Sequence, residues 1–177
     1  MNLPNTITFS RLLGLPLIFG LLIDPTVSHR WWAMGIFAIA AATDWLDGYL
    51  ARKLNQITDL GKFLDPLVDK LLVLGPLLIL IQWQAIPAWA VFLILARELA
   101  IAGWRVSGSK PISGANLWGK LKTVSQIVAI ALLLAPLSTD WQIPALTVFW
   151  ISVALTLISG LIYVLPTPNS QEPVNLK

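Results

Sequence analysis

The stretch DWLDGYLARKLNQITDLGKFLDPLVDK, residues 44–70, decides how the chain reads. It holds five of the nine acids, yet it lies between long apolar runs. At about 100° per residue, Asp44, Asp47, Gly48, Ala51 and Arg52 share one helical face, an arc of roughly 140°. Gly61, Asp65 and Asp69 form an i, i+4, i+8 stripe on the next helix. A turn over 54–60 joins the two, so they are antiparallel neighbours. Asp59 falls in that turn and is expected to be solvated. Charges inside apolar spans are costly and mark function. Four carboxylates on converging stripes cannot all ionise in a low-dielectric cleft without cations. Oxygen-only ligation, without His or Cys, favours Mg²⁺ or Mn²⁺ over zinc. Two such ions would balance four negative charges and suit phosphoryl chemistry.

Working outward, the rest of the chain is a membrane protein by composition. Of 177 residues, 56% are hydrophobic and 12% charged. Soluble domains carry about 25% charged residues. Mean hydropathy is +0.75. Cysteine is absent, which excludes disulfide scaffolds, thiolate metal sites and a cysteine nucleophile. The single histidine, His29, excludes multi-histidine sites and is expected to be a solvated loop residue. The basic residues are scattered, and no nucleic-acid patch forms.

About 20 apolar residues cross a bilayer. Six stretches reach or approach that length: 6–23, 31–53, 61–81, 87–105, 118–136 and 144–165. Asp24-Pro25, Pro87, the Gly- and Pro-containing run 106–117, Pro136 and Pro144 separate them. The expectation is an all-α integral membrane bundle of six transmembrane helices. Residues 1–165 form one catalytic domain, and 166–177 form a polar tail. The first stretch lacks the basic region and cleavage site of a signal peptide. Of twelve Lys and Arg residues, only Arg30 falls in the loops on one side. The positive-inside rule makes the other side cytoplasmic, with both termini on it. Trp31, Trp32, Trp83, Trp89 and Trp141 fall at the outer ends, as an interfacial belt would.

Further cations lie near the acids. Arg97 and Arg105 are eight residues apart on one face of helix 4, and Lys120 and Lys122 open helix 5. Together they are candidates for an acceptor-phosphate pocket, since Arg binds phosphate in bidentate fashion. Glu98 would pair locally or cap that pocket.

Eight positions of the opening stretch also match a signature at fixed gaps: Asp44, Asp47-Gly48, Ala51-Arg52, Gly61, Asp65 and Asp69. In this the chain resembles the CDP-alcohol phosphatidyltransferase family. The resemblance implies six transmembrane helices, usually as a homodimer, in the bacterial plasma membrane with a cytoplasm-facing site. It implies two divalent metals held by Asp44, Asp47, Asp65 and Asp69, with Asp69 also the catalytic base. Gly48, Arg52 and Thr58 would hold the CDP moiety. The family's amino-terminal Asn-x-x-Thr-x-x-Arg pattern is present as Asn5, Thr8 and Arg11, which the resemblance also assigns to CDP binding. The opening MNLPNTITFSRLL, ARELAIAGWR and WGKLKTVSQIVAIA are most similar to bacterial members that take glycerol 3-phosphate as acceptor. The implied reaction moves a phosphatidyl group from CDP-diacylglycerol to glycerol 3-phosphate and releases CMP. Inositol phosphate, phosphatidylglycerol or serine would be alternative acceptors. A divalent-cation transporter could use the same acids. Transporters, however, tend to place sites near the midplane between internal repeats, and no repeat is visible here.

Overall fold

A computed structural model describes the backbone of residues 3–54, 59–106 and 116–164. The side chains of 3–9, 44–54, 59–65, 105–106, 116 and 163–164 lie outside the described residues. The described residues form six α-helices: α1 Leu3–Ile23, α2 Val27–Leu54, α3 Asp59–Gln82, α4 Ala88–Val106, α5 Asn116–Leu134 and α6 Gln142–Val164. A 3₁₀ turn, Thr139–Trp141, precedes α6.

Local chemistry sets the ends. Pro25 disfavours helical geometry at Asp24, so α1 stops there. Thr26 then accepts the His29 backbone N–H on its hydroxyl at 3.2 Å, a side-chain N-cap. That cap starts α2 at Val27, four residues before the apolar run. His29 and Arg30, expected in a loop, are therefore helical. The His29 Nδ1 lies 2.7 Å from the Asp24 carbonyl. Beyond α3, Gln84 takes a left-handed φ of 56°. Ala85 and Gln84 donate to the carbonyls of Leu80 and Ile81 at 2.9 and 2.8 Å, closing a Schellman cap. α5 ends at Leu134, two residues short of expectation, because Pro136 bars helical geometry at Ala135. Pro144 sits in the first turn of α6, where no N–H partner is lost. α3 begins at Asp59, the acid that the spacing puts in the turn.

α1 packs on both α2 and α3, α6 packs on α4 and α5, and the two sets meet where α5 touches α2 and α3. Gly75 lets α3 approach α1: a Cβ there would come 3.0 Å from Leu15 and 3.3 Å from Phe19. Ile18, Phe37, Leu80, Ile130, Leu134 and Phe149 form the fully buried centre. Many large apolar side chains point outward, among them Leu13, Phe92, Val124, Ile143 and Leu161. Among the described residues two helical stretches, Leu117–Leu134 and Thr139–Ile162, are long and apolar enough to cross a membrane. α2, α3 and α4 carry the acids of the candidate site, and α1 and α5 add Arg11 and Lys122.

Arg30 does more than the charge count suggested. Its Nε donates to the Leu134 carbonyl at 2.9 Å, and its Nη2 to Ala135 and Leu133 at 3.0 and 3.2 Å. It also lies 5.1 Å over the Trp83 ring. A guanidinium on the carbonyls at the carboxyl end of α5 supplies donors where the helical ladder runs out and opposes the negative end of the helix dipole. Arg30→Ala should lower stability by about 2 kcal/mol. Thermal denaturation in detergent would show it as a lower Tm, with turnover per folded molecule unchanged.

Candidate active site

α3 carries Asp69 into contact with α1. Arg11 Nη1 donates to Asp69 Oδ1 at 2.9 Å. The Arg11 side chain is 1% exposed and that of Asp69 43%. A buried cation therefore anchors a carboxylate whose other surface stays open. The amino-terminal Asn-x-x-Thr-x-x-Arg pattern and the acidic stretch thus meet at this pair, 58 residues apart in sequence.

Asp69 and Lys70 form one polar edge of a cavity of about 390 Å³ between α2, α3, α4 and α5. Glu98, Lys122, Thr123 and Gln126 form the facing edge. Deeper in, Phe37, Leu77, Val91 and Ile94 make the wall apolar. The cavity thus joins a charged mouth to a hydrocarbon-like interior. A second cavity of about 590 Å³ lies at the opposite helix ends, beside Arg30, Trp83 and Trp141. No carboxylate lines it among the described residues, so chemistry selects the smaller one.

The other predicted residues fall as follows. Asp44, Asp47, Gly48 and Arg52 lie on α2 and Asp65 on α3. Their side chains, like those of Asn5, Thr8 and Arg105, are outside the described residues, and Thr58 is outside altogether. Among the described residues no three His, Cys, Asp or Glu side chains converge. Lys120 is exposed, whereas Lys122, two residues on, is buried on the cavity wall. Arg97 does not line the cavity. Its Nη2 turns to α6 and donates to Ser159 Oγ at 3.0 Å, and its Nη1 donates to Glu98 Oε1 at 2.9 Å. Glu98 Oε1 also accepts from Lys122 Nζ. The choice left open for Glu98 thus resolves both ways: it pairs locally and also borders the cavity.

The bundle also holds a buried polar seam that the motifs do not mark. Gln126 Nε2 donates to Thr156 Oγ1 at 3.1 Å. Ser152, Thr156 and Ser159 are buried on α6, each bonding a carbonyl of its own helix. Their i, i+4, i+7 spacing is legible in the sequence as a polar stripe on an otherwise apolar helix. The stripe gives α4 and α5 polar partners inside the bundle.

Comparison with known proteins agrees with the geometry. The sequence model of one family, CDP-alcohol phosphatidyltransferase, matches residues 1–158. The chain is 42% identical to the CDP-diacylglycerol--glycerol-3-phosphate 3-phosphatidyltransferase of Bacillus subtilis, over 90% of this chain and 91% of that one. It is 39% identical to the Pseudomonas fluorescens protein of the same name, over 92% and 88%. The Escherichia coli K12 protein of that name is 35% identical, over 92% of each chain.

Proposed function

The chain belongs to the CDP-alcohol phosphatidyltransferase family, and from that premise we propose that it transfers the phosphatidyl group of CDP-diacylglycerol to glycerol 3-phosphate. The observation that carries this is the complete eight-position motif, whose last member, Asp69, lines a cavity that Lys122 borders from the other side. Such a cavity can hold an acceptor between a proton-accepting carboxylate and a phosphate-binding cation.

The acceptor hydroxyl attacks the phosphorus bearing the diacylglycerol. A new P–O bond forms, the P–O bond to CMP breaks, and CMP leaves with the electron pair. Asp69 takes the hydroxyl proton. Arg11, at 2.9 Å, holds the carboxylate at the cavity wall, where the Asp69 side chain is 43% exposed. A carboxylate is a modest base, so positioning has to supply much of the rate. Gly48, Arg52 and Thr58, with Asn5 and Thr8, would face the cytidine diphosphate. Lys122 and Arg105 would face the acceptor phosphate. Carboxylate oxygens suit hard divalent cations, and the Asp69 side chain is open enough to ligate one. Asp44, Asp47, Asp65 and Asp69 would hold two Mg²⁺ or Mn²⁺ ions, which would neutralise the diphosphate as charge develops.

The same reading places all six helices across the bacterial plasma membrane, with both termini and the cavity mouth on the cytoplasmic side. The outward apolar side chains and the one-sided distribution of Lys and Arg support it. A homodimer is proposed as well, and crosslinking in native membranes tests it.

The test is CMP release and lipid product from CDP-diacylglycerol with a panel of acceptors: glycerol 3-phosphate, inositol phosphate, phosphatidylglycerol and serine. Phosphatidylglycerophosphate should be the main product. Activity should vanish with EDTA and return with Mg²⁺ or Mn²⁺. Full turnover in metal-free buffer would sink the two-metal part.

A further inference from the structure

Outside the acidic stretch, Glu98 is the described acid with the most charged partners: its Oε1 takes donors from both Arg97 and Lys122. The two cations differ in where they look. Lys122 borders the cavity, and of its three N–H donors the contact with Glu98 takes one. Arg97 is turned away, and its surroundings are shaped to fit it. Ser159 accepts from its Nη2. Gly160 leaves room for its stem: a Cβ there would lie 3.0 Å from Arg97 Cγ and 3.5 Å from Nε. The Nε is buried without a hydrogen-bond partner, so the fit rests on the two Nη groups and on packing.

An ammonium on a flexible four-carbon stem has no fixed direction of its own and tends to reach for water. A carboxylate beside it in a low-dielectric wall gives it one. A carboxylate on a flexible stem must in turn be held, and Arg97 does that from a rigid seat on α6. We propose that Glu98 is a positioning residue for the acceptor phosphate, aiming the Lys122 ammonium into the cavity, and that Arg97, seated by Ser159 and Gly160, locks Glu98. This rests on the cavity being the acceptor site, as read above. It moves Arg97 from a phosphate ligand to a support two contacts away.

The test uses the full chain in detergent and measures three constants: the KM for glycerol 3-phosphate, the KM for CDP-diacylglycerol, and the Ki of inorganic phosphate. Glu98→Gln should raise the acceptor KM and the phosphate Ki together, by about 10- to 100-fold, the usual cost of losing a group that orients a ligand. The donor KM should barely move. Glu98→Asp, which keeps the charge on a shorter stem, should recover part of the loss. Ser159→Ala and Gly160→Ala leave all three charges in place and should move the same two constants by smaller factors. Unchanged acceptor KM and phosphate Ki in Glu98→Gln overturn the proposal, as does an equal rise in both KM values. If Glu98→Gln fails to fold, the two α6 variants decide: wild-type acceptor constants in both overturn it. A wild-type protein that turns over only phosphate-free acceptors overturns the acceptor reading itself, a separate and visible failure.

Discussion

Asp69→Asn is expected to reduce turnover by about 10²- to 10⁴-fold, the range a positioned general base supplies. The substitution is nearly isosteric, and the amide oxygen can still accept from Arg11, which reaches Oδ1 at 2.9 Å in the wild type. Arg11 is buried, so a partner that could not accept would take a hydrogen bond from a buried cation, at a cost of about 1–3 kcal/mol. Asparagine keeps the hydrogen bond and removes the base. The protein should therefore fold and bind CDP-diacylglycerol with metal present, yet fail to turn over. Asp44→Asn and Asp47→Asn should weaken metal and donor binding together, since the family resemblance makes them ligands only. Lipid product formation measured beside donor binding separates the two classes. Wild-type turnover in Asp69→Asn would remove it as the base.

The acids and the helices were legible from sequence for different reasons. Helix positions follow from apolar runs broken by proline, and all six expected spans find a helix within a few residues. The differences sit where a side chain overrides the run. Thr26 starts α2 early, and Pro136 ends α5 early. The motif at 44–69 is local in sequence, so fixed gaps reveal it. Arg11 with Asp69 is a pairing across 58 residues, and periodicity cannot reach that far. The direction of Arg97 was hidden for the same reason. Its place on helix 4 suggested a shared face with Arg105, but a long side chain goes where a partner waits. Ser159 and Gly160, more than 60 residues away, make that place. Lys120 and Lys122 are close in sequence, but two residues on a helix turn a side chain by about 200°. One is exposed and the other is on the cavity wall.

Lys122→Ala should raise the KM for glycerol 3-phosphate about 30- to several-thousand-fold, since losing one charged partner of a buried pair costs about 2–5 kcal/mol. Among the described cations of the expected acceptor-phosphate pocket, Lys122 is the one on the cavity wall. A phosphate monoester carries nearly two negative charges at neutral pH and must replace its hydration with cations. The fold should tolerate the change, because Glu98 keeps Arg97 at 2.9 Å and is not left as an unpaired buried charge. The donor KM should stay close to wild type. Arg105→Ala should show the same split between the two KM values if its guanidinium supplies the second cation. Arg105→Lys should then recover only part of the loss, because an ammonium cannot make the two-pronged contact. Lys120→Ala, on the exposed side of α5, should leave the acceptor KM unchanged. A defect in the donor KM instead would assign Lys122 to the nucleotide and remove the argument for a phosphorylated acceptor. Inositol phosphate outcompeting glycerol 3-phosphate in the wild type would keep the phosphate pocket and change only the alcohol it selects.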